Sequence, residues 1–298
     1  MAKRKPRQVV VYALFRVVSF FIYLLPLRSG LKLGQCIGKI AFLFLKKQRR
    51  IALDNLEFSL SDSRIDKSLI ARQVFENLGK NFVEVISLSK FNKANIDAYI
   101  KCNGFESIER LLKQGKGGIV LSAHFGNWEL MAHYFALKGY KVNVVARRVR
   151  NEFFERFLGK VRRQHGVNVL YRDASAKEVF AVLKRNEFIG MMPDQDMTNV
   201  SGVFVDFFDR KAYTPNGPAV LNFLTGTPIV PCFMARKGFG HEILVGQPIE
   251  LQKTGDKQKD ILENTQRYTR VIEDHVRKFP SQWVWFHERW KTKENSHR

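Results

Sequence analysis

The chain has 298 residues, of which 45% are hydrophobic, and 50 lysines and arginines against 28 acidic residues give it a net charge of +22. A chain of this size and composition can fill a substantial core, which excludes a disordered protein. The positive charge predicts an anionic partner, such as a membrane surface, a phosphorylated lipid, an acidic carrier protein or nucleic acid.

Three cysteines, Cys36, Cys102 and Cys232, are widely separated and have no metal-type spacing. Their odd number and spacing argue against a disulfide framework and a cysteine zinc site, and are typical of reduced thiols in the cytosol.

The N-terminal segment is apolar and follows a basic cluster, Lys3, Arg4, Lys5 and Arg7. As a helix, residues 9–25 would be about 25 Å long, whereas the hydrocarbon core of a membrane is about 30 Å thick. Its polar residues fall on one stripe of that helix: Tyr12, Arg16, Ser19 and Tyr23. We therefore expect a retained helix that lies in the membrane interface or packs one face on protein. The alternative is a cleaved signal peptide, but residues 26–30 have no small-x-small cleavage pattern.

A second apolar patch, residues 37–45, is followed by the cations Lys46, Lys47, Arg49 and Arg50. Positive clusters therefore flank the whole N-terminal region, and cytoplasmic segments are the ones enriched in lysine and arginine. We expect both ends of a helical pair to face the cytoplasm. This predicts a membrane anchor over residues 1–50 and one further domain over residues 51–298.

Beyond residue 50 the pattern is that of an α/β protein. Residues 51–90 have helical spacing, and strands are predicted over residues 117–123, 141–146, 188–192, 227–235 and 243–246. A turn is predicted at 238–240, a polar loop at 251–260 and a long helix at 261–278. Strands that alternate with helices indicate a mixed, mostly parallel sheet flanked by helices, with functional residues at the strand ends.

His124 and Glu129 follow the first of these predicted strands. Five residue steps would place them about 140° apart on a continuous helix, so we expect His124 on the turn and Glu129 inside the next helix. An imidazole is the natural proton acceptor near neutral pH, and a neighbouring carboxylate can orient it. The plainer alternatives are a turn histidine bonded to backbone and an acid favoured by the helix dipole.

Further polar residues lie at the ends of other predicted elements. Arg147 could bind phosphate, and Arg148 and Arg150 would add positive charge nearby. Asp194 and Asp196 could orient a substrate hydroxyl, hold Arg147 or cap the next segment. Thr214 and Pro215 are suited to begin a helix. No histidine pair has zinc-type spacing, and we expect no metal.

The C-terminal segment combines tryptophans with cations. Trp283, Trp285 and Trp290 lie beside Arg289 and Lys291. Such a segment could stack nucleic-acid bases, but it more often forms core packing or an interface.

Taken together, these blocks resemble the lipid A late acyltransferases of Gram-negative bacteria, within the lysophospholipid acyltransferase superfamily. The resemblance begins with a histidine, four residues and an acid, His124 to Glu129, and continues with Arg147 and Asn151. The later blocks follow in the family's order: Met192-Pro-Asp-Gln-Asp196, Gly202-Val-Phe-Val-Asp-Phe-Phe208, Thr214-Pro-Asn-Gly-Pro-Ala219 and Gln282-Trp-Val-Trp-Phe-His-Glu-Arg-Trp290. The chain departs from the family at Asp209, where glycine is usual.

The resemblance implies acyl transfer from an acyl carrier protein thioester to a hydroxyl of a Kdo-bearing lipid A precursor, on the cytoplasmic face of the inner membrane. We expect His124 to act as the general base with Glu129 assisting it, and no cofactor to be needed. The backbone amides of Gly126 and Asn127 are the oxyanion candidates. The substrate-binding candidates are Arg147, Asn151, Asp194, Asp196, Gly217 and Arg289.

Two alternatives stay open at this point. A sibling enzyme that acylates a lysophospholipid or another glycolipid would use the same histidine and acid. A basic, membrane-associated nucleic-acid-binding protein without catalytic activity would also explain the charge and the tryptophan segment. If the chain is a lipid A acyltransferase, we expect it to have no nucleic-acid partner.

Overall fold

Seven strands form the central sheet of the computed structural model, which describes residues 6–61, 65–149, 151–171 and 176–294. The strands, with two more that form a separate hairpin, are β1 (Ile100–Asn103), β2 (Gly118–Leu121), β3 (Val142–Ala146), β4 (Val167–Tyr171), β5 (Phe188–Met191), β6 (Gly202–Phe207), β7 (Arg210–Pro215), β8 (Ile229–Lys237) and β9 (Gly240–Val245). The order across the sheet is β1-β9-β8-β2-β5-β3-β4, and neighbours are parallel except for the β8–β9 hairpin.

Helices pack on both faces of the sheet. They are α1 (Pro6–Leu24), α2 (Leu27–Phe44), α3 (Lys46–Ser59), α4 (Lys67–Ile86), α5 (Ile96–Tyr99), α6 (Phe105–Lys113), α7 (Trp128–Leu137), α8 (Glu152–Gln164), α9 (Ala176–Lys184), α10 (Gly217–Thr225) and α11 (Lys257–Lys278). Alternate residues of β8 point to opposite faces. Phe233 and Ala235 pack with α10 and α11, whereas Cys232 and Met234 pack with α6 and α7. The predicted α/β architecture, with a mostly parallel sheet flanked by helices, is confirmed.

The five strands predicted from sequence are all present, with ends displaced by up to three residues. The predicted turn joins β8 to β9. The predicted polar loop is shorter than expected, because Asp256 accepts hydrogen bonds from the amides of Gln258 and Lys259 and starts α11 at Lys257. Strands β1, β4, β6 and β7 were not predicted.

The hairpin of β6 and β7 corrects the prediction of a helix beginning at Thr214. Thr214 pairs with Val203, and the ladder continues to Pro215, so the chain is still extended where a helix was expected. Helix α10 begins at Gly217, after Asn216. The hairpin turn has positive φ at both Phe208 (53°) and Asp209 (56°), which is the geometry of a type I′ turn. Aspartate tolerates this left-handed conformation better than most residues, so Asp209 can stand where the family usually has glycine.

Helix α2 lies backbone to backbone against α4. A Cβ atom added at Gly34 would approach the carbonyl oxygen of Gly79 to 2.5 Å, and one added at Gly38 would collide with the carbonyl oxygen of Phe75. Glycines are needed here because a side chain would separate the two helices. This contact attaches the N-terminal region firmly to the helices around the sheet.

Helix α1 packs one face on the protein and leaves the other exposed. Tyr12 stacks on Phe153 with ring centroids 5.0 Å apart, and Ser19 and Ile22 are buried. On the opposite face, apolar side chains such as Val10, with 67% of its surface exposed, are not covered by any of the described residues. The prediction that this helix packs one face on protein is therefore confirmed, although Arg16 and Tyr23 of the predicted stripe are exposed.

In the part of the chain that the structure describes, no helix has both the length and the apolar character needed to cross a membrane. The basic residues Lys3, Arg4 and Lys5 lie outside the described residues. The anchor over residues 1–50 and the domain over residues 51–298 stay predictions.

Candidate active site

His124 lies on the turn between β2 and α7, and Glu129 is the second residue of α7, as the spacing predicted. Gly126 allows the turn to close, because it has a φ of 57° and an added Cβ would collide with the carbonyl oxygen of Met234. Asn127 then caps the helix by accepting a hydrogen bond from the amide of Leu130 at 3.1 Å. The chain reversal is thus set by two residues of the turn itself.

Asp194, just beyond β5, is the carboxylate that holds His124. Its Oδ1 lies 2.9 Å from His124 Nδ1, and its Oδ2 accepts from the backbone amide of His124 at 2.9 Å. The indole Nε1 of Trp283 donates to the same Oδ2 at 2.8 Å. Since Asp194 can only accept at Nδ1, the hydrogen-bond network assigns the proton to Nδ1 and leaves the lone pair on Nε2.

Asp194 is an anion in this setting. Burial on its own would raise the pKa of its carboxyl group, but the adjacent His124 and the hydrogen bonds from His124 and Trp283 outweigh burial and lower the pKa to about 2. A buried carboxylate on Nδ1 stabilises the imidazolium that forms when Nε2 takes up a proton. The pair is built to accept a proton at Nε2.

The expected contact between Glu129 and His124 is corrected by the structure. Arg162 of α8 binds the Glu129 carboxylate through two hydrogen bonds, one of them from Nε to Oε2 at 2.9 Å. The carboxylate on Nδ1 is instead Asp194, which is 70 residues away in sequence. The helix that begins after Asn127 directs Glu129 toward α8, whereas the end of the parallel strand β5 delivers Asp194 to the same sheet edge as His124.

An apolar cavity lies beside this centre, between the sheet and helices α6 and α7, and its empty space of about 810 Å³ includes space open to solvent. Trp128, Glu129 and Arg162 line it, and the His124 ring packs edge-on against Trp128 with centroids 5.1 Å apart. From Met192 to Phe188 the lining follows β5 for about 13 Å, at about 3.3 Å per residue. The remaining walls are mostly aliphatic and aromatic: Ile108, Val120, Met131, Ala132, Phe135, Tyr140, Val142, Val144, Val145, Ala146, Gly190 and Met191.

The amide of Gly126 is already engaged, which corrects its assignment as an oxyanion donor. It donates to the carbonyl oxygen of Gln282 at 2.9 Å. Asn127 is buried, and its side-chain amide donates to Glu84 at 2.8 Å.

A buried ionic cluster lies behind the turn. Glu84 also accepts from the guanidinium of Arg236 and lies 2.8 Å from His241 Nε2. Despite full burial, which opposes ionisation, His241 and Arg236 lower the pKa of Glu84. Asn81 completes the support by donating to the carbonyl oxygen of Gly126 at 2.5 Å. This cluster holds the turn from below, and no motif in the sequence pointed to it.

The other predicted site residues have structural contacts. Asn151 caps α8 through the amide of Phe153 at 3.0 Å, and Asp196 accepts from the amide and hydroxyl of Thr292. Asp196 therefore contacts the C-terminal segment, whereas the capping role predicted for it concerned the segment that directly follows it.

Three more predicted residues differ in accessibility. Arg147 is exposed at the end of β3, and Gly217 begins α10, where an added Cβ would come within 2.9 Å of Met191 Cε in the cavity wall. The guanidinium of Arg289 is buried and donates to the carbonyl oxygen of Tyr213 and the hydroxyl of Thr214. Arg289 therefore holds β7, and its role in substrate binding stays a prediction.

Of the two expected positive neighbours, Arg148 and Arg150, the structure describes only Arg148. The Arg148 guanidinium lies over the Tyr171 ring, 3.8 Å from its centroid, and Arg150 lies outside the described residues. Within the described part of the chain, no group of three or more histidine, cysteine, aspartate or glutamate side chains is placed to hold a metal ion.

The C-terminal tryptophans are inside the protein. Trp283, Trp285 and Trp290 are all buried, and the two indole rings of Trp283 and Trp285 pack edge-on with centroids 4.8 Å apart. Base stacking requires an exposed ring face. The feature that favoured nucleic-acid binding is therefore core packing.

Comparison with known proteins identifies relatives along nearly the whole chain. A family model described as bacterial lipid A biosynthesis acyltransferase matches residues 1–292. The chain is 26% identical over 265 residues to the lipid A biosynthesis palmitoleoyltransferase of Escherichia coli K12, covering 88% of this chain and 84% of that one. It is 26% identical over 281 residues to the lipid A biosynthesis lauroyltransferase of the same organism, covering 93% and 90%. It is also 27% identical over 177 residues to a phosphatidylinositol mannoside acyltransferase of Mycobacterium tuberculosis H37Rv, covering 56% and 55%.

Proposed function

The chain belongs to the bacterial lipid A biosynthesis acyltransferase family, and from that membership we propose its particular reaction. It moves a fatty acyl chain from an acyl carrier protein thioester to a hydroxyl of a Kdo-bearing lipid A precursor. Both proposed substrates are anionic, which suits a protein of net charge +22. The observation that carries the proposal is the His124–Asp194 pair beside a cavity lined mostly by apolar side chains.

In the proposed mechanism His124 is the general base. Its Nε2 takes the proton of the acceptor hydroxyl while Asp194, on Nδ1, stabilises the imidazolium. The hydroxyl oxygen attacks the thioester carbonyl carbon, and the carbon–sulfur bond then breaks. The departing thiolate takes the proton back from the imidazolium, so the ester forms without an acyl-enzyme intermediate.

The Glu129–Arg162 pair lies at the cavity wall next to Trp128. Since the Gly126 amide is engaged, we assign stabilisation of the tetrahedral oxyanion to the N-terminal end of α7, which begins at Trp128. Glu129 keeps Arg162 in place beside this end of the helix. We therefore assign Glu129 an indirect role: it positions Arg162 and does not orient the histidine.

The cavity would hold the hydrocarbon of the donor. Its length of about 13 Å along β5 corresponds to about ten extended carbons, at about 1.3 Å per carbon for C–C bonds near 1.52 Å. Phe188, the first residue of β5, and Tyr140 are part of its lining. A medium-length saturated chain fits this space.

We propose that residues 1–50 attach the enzyme to the cytoplasmic leaflet of the inner membrane. The exposed apolar face of α1, together with exposed Ile40, Leu43 and Phe44 of α2, would enter the leaflet. The cations that follow, from Lys46 to Arg50, would meet the anionic headgroups. Residues 51–298 would then carry the catalytic site at the membrane surface.

A second acceptor is favoured by one comparison. The mycobacterial relative is named for acylating a phosphatidylinositol mannoside, so a mannolipid hydroxyl is the alternative acceptor. The same base, cavity and anchor would serve it.

The test is to incubate detergent-purified protein with acyl carrier protein thioesters of 10 to 16 carbons, offered together with a lipid A precursor or a phosphatidylinositol mannoside. We expect the lipid A precursor to gain the mass of one acyl chain, and His124→Ala to abolish the gain. His165→Ala, which removes a histidine outside the cavity, should retain it. Acylation of the mannolipid alone would establish the alternative, and no gain with any pair would refute both.

A further inference from the structure

The segment Gln282 to Val284 pairs with the turn that carries His124. The amide of Gly126 donates to the carbonyl oxygen of Gln282, and the amide of Val284 donates to the carbonyl oxygen of His124, at 2.9 and 3.1 Å. Between them Phe125 and Trp283 form an antiparallel bridge. The backbone of Trp283 is therefore fixed relative to the catalytic turn.

The side chain of Trp283 completes this attachment. Its ring is 1% exposed, and its Nε1 donates to Asp194 Oδ2 at 2.8 Å, on the carboxylate oxygen that does not contact the imidazole. Phe207 packs against the ring with centroids 5.5 Å apart. The indole thus has a single orientation, and its one donor is directed at Asp194.

We propose that Trp283 is a positioning residue that sets the proton affinity of the His124–Asp194 pair. A hydrogen bond to one carboxylate oxygen withdraws negative charge from the other, which weakens the hold of Asp194 on the imidazolium. Trp283 would therefore keep His124 unprotonated, and able to act as a base, at lower pH than the bare pair would allow. The inference rests on the proposed function only for the consequence of this tuning in catalysis.

Other charged or titratable groups face the pair as well. His287 lies near both Asp194 and His124, and burial lowers its pKa, which favours the neutral ring. Arg289 acts on Asp194 and on Asp196 from the interior. These groups are unchanged when Trp283 alone is replaced, so the effect of its indole can be isolated.

Trp285 provides a matched control. It is 0% exposed, packs on Trp283, and donates its indole hydrogen to the carbonyl oxygen of Pro280 at 2.7 Å, not to Asp194. Replacing either tryptophan by phenylalanine exchanges the indole for a smaller phenyl ring and removes one buried hydrogen bond. Only Trp283→Phe removes a donor from the catalytic carboxylate.

The experiment measures the modification of His124 by diethyl pyrocarbonate as a function of pH, with the modified peptide quantified by mass spectrometry. The reagent attacks the unprotonated ring, and the His124 side chain is 24% exposed, which permits access. We expect Trp283→Phe to move the midpoint of the modification curve upward by about one pH unit. This corresponds to about a tenfold change in the proton-binding constant of the pair. Trp285→Phe should leave the midpoint where the unmodified protein has it.

Acyl transfer by the same variants gives the second readout. We expect kcat at pH 7 to fall by up to about tenfold for Trp283→Phe, with the acidic limb of its pH profile displaced upward by the same pH unit. A midpoint unchanged in Trp283→Phe, or equally displaced in Trp285→Phe, would overturn the inference. A displaced midpoint in a protein that transfers no acyl chain would leave the inference standing and refute the proposed function, so the two failures are distinguishable.

Discussion

Asp194→Asn tests the catalytic pair through the tautomer of His124. Asp194 Oδ2 accepts from two fixed donors, the His124 amide and the Trp283 indole, whereas Oδ1 faces Nδ1. An asparagine in this position satisfies both fixed donors only when its carbonyl oxygen takes the place of Oδ2. Its NH₂ group then faces Nδ1, which must accept, and the proton moves to Nε2. The nitrogen that should act as the base is then a donor.

The expected loss in kcat/KM is about 10³-fold or more, because the equivalent loss of the correct tautomer in serine proteases costs about 10⁴-fold. At 1.36 kcal/mol per tenfold change, this is about 4 kcal/mol of transition-state stabilisation. The asparagine side chain in this orientation keeps the hydrogen bonds that Asp194 makes. The variant should therefore remain folded, which circular dichroism would establish.

The assay is the initial rate of lipid acylation with saturating thioester and with lipid below its KM, read by mass spectrometry of the lipid. Asp97→Asn is the control, because Asp97 binds Lys138 and Tyr134 away from the cavity. A folded Asp194→Asn protein with more than a tenth of the original activity would refute the reasoning, and would return the orienting role to another group.

Three more predictions follow from the contacts. Phe188→Leu, which replaces a ring of the cavity lining at the start of β5 by a shorter side chain, should shift the preferred donor by about two carbons toward longer chains, and a donor panel with unchanged preference would contradict this. Gly79→Ala should lower the free energy of unfolding by about 2 kcal/mol or more, because the added Cβ would collide with the backbone of Gly34; a thermal melt equal to that of Gly159→Ala, a helical glycine whose added Cβ first meets the end of the Arg163 side chain at 3.3 Å, would argue against the α2–α4 contact. Because the pKa of Asp194 is lowered, its contribution to stability is complete above about pH 4 and is lost as the pH falls toward about 2. The contribution is about 2 kcal/mol. Acid unfolding curves of Asp194→Asn should lack it.

The sequence located the elements that bear the chemistry because those elements have strong local patterns. The apolar run before His124 and the break at Gly126 predicted a strand, a turn and a helix, and β2 and α7 lie there. The N-terminal helix and the long α11 were equally visible from their periodicity. By contrast, β1 and β4 have four and five residues with mixed polarity, which resembles the loops around them.

The partners of the site residues were not predictable from spacing. Glu129 is close to His124 in sequence, yet its helix carries it to Arg162, and Asp194 reaches the histidine from 70 residues away. Local signals also misplaced Thr214, whose good capping chemistry was overridden by the ladder to Val203. Asp194 reaches His124 because β5 pairs with β2 in the sheet, whereas Trp283 pairs with the turn through a bridge outside the sheet.

The most direct measurement is a single-turnover reaction of the purified protein with an acyl carrier protein thioester and a lipid A precursor, in which both the lipid and the intact protein are weighed. We expect the lipid to gain one acyl chain while the protein mass stays constant throughout, and we expect no gain of lipid mass with His124→Ala. An acylated protein that precedes the product would contradict direct attack by the lipid hydroxyl. Full lipid acylation by His124→Ala would contradict the role of the histidine.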